Sequence, residues 1–527
     1  MVYTAAYTAR NRLVLDIVVA LWLDMCPDDT LSGKLLERGI SLYHHPGPTR
    51  AECEALQGVL QKVLQLLAIP VDRGRVLQAL SILTKTDERR RKVWVTVLSS
   101  NTSILDVLRD NGDDPSVTKF ALAVIAHSLQ STYTRGPPVN KSKGLSPVDI
   151  NVTELFKLTM NSLDGPFPGH GVVLHALTIL DFCVRVYAHG STQPITPALH
   201  LLAAFTRSAN ISLRCVAVSA LESLATSSTD PAPAPVPVPA RSLARVLEDC
   251  PLHLRQLMEN YGMERCELME VERVSIKIVD ILRIFVEDRD LYRLGTTLAY
   301  HLVRTTYTSR YDQFPDFAAA GVPREHRWKQ CMRAAAEVLR ERGDDAHLDM
   351  ADVLDLEYMF STSPPDRIVA FARKVLRRNP RHAFAHFCLC SNLPVLGPGE
   401  ALQFATQGLE LPDASPYMRR AFLTILLELS HTRAWNLLLG ASPADAEMRK
   451  EGIVALEDAL RYADMFFPES PPDCQALVRF LNRYITDTLI LRGAGIGEDL
   501  SELQVCGNQL AVILIRSLMS VSISSLQ

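Results

Sequence analysis

The sequence predicts an all-α fold, an α-solenoid in which pairs of helices stack side by side, and three observations lead to this prediction. Almost every apolar run repeats every three to four residues, as on one face of a helix. Alternating β-branched runs bounded by turns are nearly absent, and Val93–Leu98 is the best exception. Helical stretches of roughly a dozen residues follow one another across short polar turns, and none can bury its apolar stripe alone.

Composition places the chain among folded proteins that form a core. Hydrophobic residues make up 47% of the 527 residues and charged residues 22%, a balance that disfavours disorder. The net charge of −4 supplies no general field that would hold nucleic acid. The eleven cysteines show no C-x-x-C spacing, so we interpret them as reduced thiols of an intracellular protein.

One N-terminal segment, Leu13–Met25, could imitate a targeting sequence. It is shorter than the roughly 20 residues of a membrane span, and Asp16 and Asp24 interrupt it. We interpret it as a first core helix, with an export or membrane signal as the alternative. The prediction is a cytoplasmic protein without a membrane partner. The basic run Arg89–Lys92 leaves nuclear import or phosphate contact open, against a solvated helix end.

Two breaks divide the predicted array of helices. Tyr133–Pro147 reads as an exposed loop, and Ser227–Pro239 contains PAPAPVPVP, which must be extended because proline fixes φ and lacks an amide hydrogen. The second break separates two blocks, spans one edge of a continuous stack, or serves as a ligand for a proline-binding groove. The predicted domains are residues 1–226, a linker or loop at 227–240, a helical connecting block at 241–345, and a final helical block at 346–527.

The stretch Asp366–Pro412 reads as helix, turn, helix, turn, helix. Pro380 and Pro412 each close a helix and lie 32 residues apart, close to the roughly 34-residue period of one repeat class. The stretch resembles the tetratricopeptide repeat family, which implies a tetratricopeptide-like block over 346–527. It departs from that family at His386, where tryptophan is usual, and in a short turn. The matching residues are Leu389, Cys390, Gly397, Glu400, Ala401, Leu409, Leu411 and Pro412.

The first half of the chain groups its helical segments at about 40 residues, the range of HEAT and armadillo repeats. Val117–Gln130 and the residues before it resemble an armadillo unit, with a turn at Asn111-Gly112 and Pro115 early in the helix. We therefore predict an armadillo- or HEAT-like block over 1–226. A looser resemblance is to the repeat regions of fungal proteins that carry a MYND zinc finger, but the dense Cys/His cluster of that finger is absent from this sequence.

These resemblances imply a non-catalytic scaffold that binds a protein or peptide partner along a solenoid groove. The best candidate contact is a basic stripe that would receive an acidic peptide, and the alternative is an ordinary solvated face. Two other functions stay open: an enzyme or small-molecule binder with a pocket inside a helical toroid, and a nucleic-acid-binding array, which the charge does not favour. The stripe consists of Arg373, Lys374, Arg377, Arg378 and Arg381.

Two clusters carry residue types that can bind metal. His382, His386 and Cys390, with Cys388 nearby, lie one helical turn apart and include the ligands that zinc prefers. We favour core packing for them. Carboxylates three apart on a helix can share a cation, yet for the acidic cluster we favour a solvated face. We therefore predict no metal, no cofactor and no catalytic residue; Gly493–Gly497 lacks the lysine of a phosphate loop. The acidic cluster comprises His347, Asp349, Asp352, Asp355 and Glu357.

Overall fold

The structure is a computed structural model, and it describes residues 73–84, 104–133, 151–164, 169–188, 196–227, 250, 252–304, 327–440, 445–474 and 476–495. Within these ranges all regular elements are helical and no strand occurs, which confirms the all-α prediction. The chain divides into two compact units, Met1–Thr229 and Asp230–Gln527. This division falls inside the proline-rich stretch 227–240. None of the described helices has both the length and the apolar character needed to cross a membrane.

Several predicted segments lie outside the described residues. These are Leu13–Met25, Arg89–Lys92, Val93–Leu98, residues 134–147 and nearly all of the proline-rich stretch. The predictions made for them stay predictions.

In the first unit, the described helices pack around two apolar clusters that share one helix, α5. Ala176, Ile179 and Cys183 of α5 belong to the cluster formed with α1 to α4. Leu177 and Leu180, each one residue further along, belong to the cluster formed with α6 and α7. Two apolar stripes on one helix explain why α5 is buried on both sides. The described helices are α1 (Arg73–Thr84), α2 (Ile104–Asp110), α3 (Pro115–Tyr133), α4 (Val152–Leu163), α5 (His170–Ala188), α6 (Thr196–Phe205) and α7 (Ile211–Ser227).

Local capping residues set where these helices begin. The Asp114 carboxylate accepts hydrogen bonds from the amides of Ser116 (2.8 Å) and Val117 (3.2 Å), and Pro115 is the first residue of α3. The predicted start of this helix, with proline early in its first turn, is thereby confirmed. Asn151 accepts from the Glu154 amide in the same manner at the start of α4.

In the second unit, the apolar period predicts a helix from about Met263 to Val286 and another over Pro416–Ser430, and the structure differs at one end of each. α9 starts at Glu267 rather than near Met263, because Gly262 (φ 104°) and a 3-10 turn at Met263–Arg265 come first. α17 continues to Gly440, well past the predicted end at Ser430. The described helices are α8 (Leu252–Tyr261), α9 (Glu267–Asp288), α10 (Leu291–Leu302), α11 (Arg327–Arg342), α12 (Asp345–Thr362), α13 (Pro365–Arg378), α14 (Ala383–Cys390), α15 (Leu393–Leu396), α16 (Pro398–Leu409), α17 (Pro416–Gly440), α18 (Ala446–Glu469) and α19 (Leu477–Arg492).

From α9 onward, helices of the second unit pack mainly on their neighbours in the chain. In addition, α10 contacts α12, α12 contacts α14, α14 contacts α17, and α17 contacts α19. We call these five helices the alternate-helix layer. One continuous apolar core runs through the unit from Val274 on α9 to Tyr484 on α19. Each helix therefore buries its stripe mostly on helices that are close in sequence.

Gly408 allows the closest approach of two helices in this core. A Cβ added at Gly408 of α16 would lie 2.3 Å from Cζ of Phe422 on α17, and the Phe422 ring is fully buried. Because the core around the Phe422 ring is closely packed, the ring cannot move away from an added methyl group. The small residue is therefore required for α16 and α17 to pack.

We predict that Gly408→Ala lowers the free energy of unfolding by about 1–3 kcal/mol, the usual effect of overpacking a core. Gly399→Ala in the same helix is the matched control, because nothing lies within 4 Å of the added methyl group. It should be neutral or slightly stabilising. Urea unfolding of the two variants measures the difference, and equal stability would contradict the proposed packing.

Candidate functional site

The second unit contains a cleft of about 430 Å³ between the first turn of α9 and the alternate-helix layer. Phe387 of α14 and Tyr417 and Ile425 of α17 supply its large apolar surfaces. Both basic and acidic side chains face the same space. The remaining lining residues are Glu267, Glu270, Val271, Arg304, Ser391, Arg420, Ala421, Thr424, Cys474, Ala476 and Arg479.

Two long-range hydrogen-bonded links create this cleft. The Ser415 hydroxyl, at the start of α17, donates to the carbonyl of Val303 just after α10. The Asp473 carboxylate, between α18 and α19, accepts hydrogen bonds from the amides of Glu267 (2.9 Å) and Leu268 (2.7 Å). The start of α9 thereby lies beside residues that are more than 200 positions away in the chain.

The charged groups of the cleft are only partly compensated. Neither Arg420 nor Glu270 has a salt bridge or a side-chain hydrogen bond to any described residue. The Arg304 guanidinium stacks 3.7 Å from the centre of the Tyr300 ring. Arg479 lies 3.8 Å from Glu428, and its side chain is 63% exposed. The arginine side chains that are available to a partner therefore outnumber the available carboxylates in the cleft.

The floor of the cleft holds groups that burial keeps neutral. Burial, and then the charges of Glu357 and Glu267, raise the pKa of Tyr417 to about 12. Burial, the charge of Glu267 and a hydrogen bond to the Glu267 carboxylate raise the pKa of Cys474 to about 12. Tyr417 and Cys474 thus contribute an un-ionised hydroxyl and thiol near neutral pH.

Glu357 of α12 is a buried carboxyl group close to Tyr417. Burial alone raises its pKa to about 8, and no described residue pairs with it. Between its usual pKa of 4.5 and about 8, the folded chain keeps this proton while the unfolded chain loses it. Folding therefore becomes less favourable as the pH rises through this window, and the loss is complete above the folded-state pKa.

We predict that Glu357→Gln removes this pH dependence because glutamine does not ionise. The stability of the variant relative to the natural protein should rise by roughly 1.4 kcal/mol for each pH unit across the window. Urea unfolding at several pH values measures the effect, and Glu341→Gln, on an exposed position of α11, is the control. Parallel stability profiles of Glu357→Gln and the natural protein would contradict the prediction.

The predicted basic stripe is largely engaged in ion pairs within the chain. Arg373 contacts Glu400, Arg381 lies 2.6 Å from Asp413, and Arg378 pairs with two carboxylates of α12. Lys374 and Arg377 are exposed and have no described partner. The stripe stays a predicted contact surface, with these two residues as the side chains not already paired.

Three members of the predicted acidic cluster form an ion-pair network rather than a solvated face. Arg340 of α11 contacts Asp352 (3.1 Å) and Asp355, while Arg378 of α13 contacts Asp349 and Asp352 (2.8 Å). Asp352 is only 8% exposed and Glu357 only 7%, so the solvated-face interpretation is wrong for both. His347, the remaining member of the cluster, bonds to Asp344 and Tyr292 instead.

We predict that Asp352→Asn costs about 1–3 kcal/mol of stability, because both guanidinium groups lose a partly buried charged acceptor. Asp413→Asn is the matched control. Its partner Arg381 is solvent-exposed, so that change should cost less than about 1 kcal/mol. Chemical unfolding of both variants separates the two outcomes, and equal losses would show that the network contributes no more than a surface pair.

The His/Cys cluster of α14 has other hydrogen-bonding partners, as core packing predicts. His382 Nδ1 accepts from the Ala385 amide (3.1 Å), and its Nε2 contacts the Asp349 carbonyl (3.1 Å). His386 Nε2 contacts the Pro380 carbonyl (2.9 Å), and burial lowers the pKa of this imidazole. Cys390 is buried and bonds to a carbonyl of its own helix. Among the described residues, no three His, Cys, Asp or Glu side chains group as a metal site.

Sequence reasoning missed the cleft because its walls come from separate elements. The lining residues of α9, α14 and α17 show no common motif or spacing. A buried pair was missed for the same reason: His431 Nδ1 of α17 lies 2.7 Å from the Asp487 carboxylate of α19, and burial raises the pKa of Asp487. Only Pro471-Pro472 before Asp473 could have indicated a fixed turn.

No protein-family model matches the chain, and no curated protein or solved structure matches it either. The helices of the described residues and the division into two compact units define the class as an all-α protein with two helical units. The resemblance to tetratricopeptide and armadillo repeats stays a prediction from the residues that carry it.

Proposed function

We propose that the chain is a non-catalytic scaffold of stacked helical pairs, and that its second unit binds a protein partner in the cleft on the alternate-helix layer. The observation that carries the proposal is Arg420, a cleft arginine without a described partner, beside the apolar surfaces of Phe387, Tyr417 and Ile425. The contacts within the alternate-helix layer support a solenoid-like arrangement, since stacked helical pairs bring equivalent helices together in one layer.

The side chains of the cleft are those that recur at protein interfaces. Arginine, tyrosine and phenylalanine are enriched where partners bury an apolar centre inside a polar rim. The three arginines of the cleft, Arg304, Arg420 and Arg479, outnumber its two carboxylates, Glu267 and Glu270. We therefore expect the bound segment to present an apolar side chain next to at least one carboxylate.

A photoreactive amino acid placed at a cleft position tests the proposal. We expect p-benzoylphenylalanine at Thr424, which lines the cleft, to form a specific adduct with a protein of the native cells. The same amino acid at Thr432, exposed eight residues later on α17, is the matched control and should form none. Mass spectrometry identifies the adduct. Absence of an adduct at Thr424, or equal adducts at both positions, contradicts the proposal.

Charge-reversal variants distinguish partner binding in the cleft from partner binding at the predicted basic stripe. With the photoreactive residue at Thr424, Arg420→Glu should reduce the adduct at least tenfold, since a carboxylate of the partner would meet a negative charge. The double change Lys374→Glu and Arg377→Glu should leave it unchanged. The opposite pattern would move the contact surface to the stripe, and circular dichroism confirms that each variant is folded.

A further inference from the structure

α9 begins without a cap from its own sequence. The first amides of a helix lack intrahelical acceptors and need partners from elsewhere. Cys266 occupies the N-cap position, but its side chain makes no cap hydrogen bond. Its thiol points back to the carbonyls of Met258 (3.8 Å) and Gly262 (3.6 Å) instead.

Asp473 supplies the missing cap from the turn between α18 and α19. Both of its carboxylate oxygens are used, one for the Glu267 amide and one for the Leu268 amide. A negative charge at this end also complements the helix dipole. The turn itself is held by hydrogen bonds from the Cys474 amide to the Pro471 carbonyl (3.0 Å) and from the Leu477 amide to the Cys474 carbonyl (3.0 Å).

Apolar packing does not fix the first turn of α9. Residues 267–271 are all partly exposed, and the first buried side chain of the helix is Val274. Directly before the helix, the chain turns through Gly262 at φ 104° and a single 3-10 turn. Yet this weakly packed turn carries Glu267, Glu270 and Val271, which form one wall of the cleft.

We infer that Asp473 is a positioning residue for the cleft: its carboxylate holds the first turn of α9 in place as a wall, and partner binding depends on that contact. The structural half of this inference stands on the hydrogen bonds alone. The binding half rests on the proposed function, because it requires that the cleft receive a partner.

Hydrogen exchange of the full chain tests the structural half. In Asp473→Ala, amides of residues 267–271 should exchange at least tenfold faster, while the buried half of α9 from Val274 to Leu282 keeps its protection. Asp473→Asn keeps an acceptor for one amide and should give an intermediate increase. Asp290→Ala removes the cap of α10, where Asp290 accepts from the Arg293 amide, and should affect only the start of α10.

Unchanged exchange at 267–271 in Asp473→Ala would overturn the inference. Equal acceleration along all of α9 would also overturn it, because Asp473 would then be a general stabilising residue. If Asp473→Ala does not fold, hydrogen exchange of Asp473→Asn replaces it, and unchanged exchange at residues 267–271 in that variant would overturn the inference.

Photocrosslinking tests the binding half. Asp473→Ala, combined with the photoreactive residue at Thr424, should reduce the adduct at least fivefold, whereas Asp290→Ala should not. A full adduct yield with a loosened first turn overturns the binding half. If the otherwise natural chain forms no adduct at Thr424, the proposed function fails, and hydrogen exchange alone decides the role of Asp473.

Discussion

The second unit depends on an apolar core that is shared among its described helices from α9 onward. This core runs from Val274 to Tyr484 and is assembled from side chains of helices between α9 and α19. Such helices are stable only when their neighbours are in place, because most helical stability in proteins comes from packing. The close approach of α16 and α17, which Gly408 permits, shows how exact the fit is at one point of the core.

Polar contacts fix those relative positions of the helices that apolar packing alone does not determine. The network around Arg340 and Arg378 joins α11, α12 and α13, which are adjacent in sequence. Asp473 and Ser415 do something different, because each links segments more than a hundred residues apart. Those two links place the start of α9 beside the turn between α18 and α19, and the end of α10 beside the start of α17. The cleft therefore exists because the packing of neighbours is supplemented by a few long-range hydrogen bonds.

Much of the fold could be predicted from sequence because its signals are local. The 3.6-residue period predicted the helices, and the turn at Asn111-Gly112 followed by Pro115 predicted the start of α3. The end of α17 could not be predicted in this way. The predicted end at Ser430 is wrong because the polar residues Ser430 and His431 are both buried within the helix, and His431 pairs with Asp487, which lies 56 residues away. Burial of Asp352 and Glu357 was missed for the same reason, since periodicity does not show which polar side chain a later helix covers.

Most of the charged side chains discussed above pair with a residue of the same chain. A charge that loses water without gaining a partner is costly, so the folded chain usually supplies one. Arg340 and Arg378 follow this rule, and their positions are explained by the helices that they join. Glu357 avoids this cost by keeping its proton near neutral pH, whereas Arg420 lines the cleft and has no side-chain partner among the described residues. Under the proposed function, a carboxylate of the partner supplies the group that pairs with Arg420.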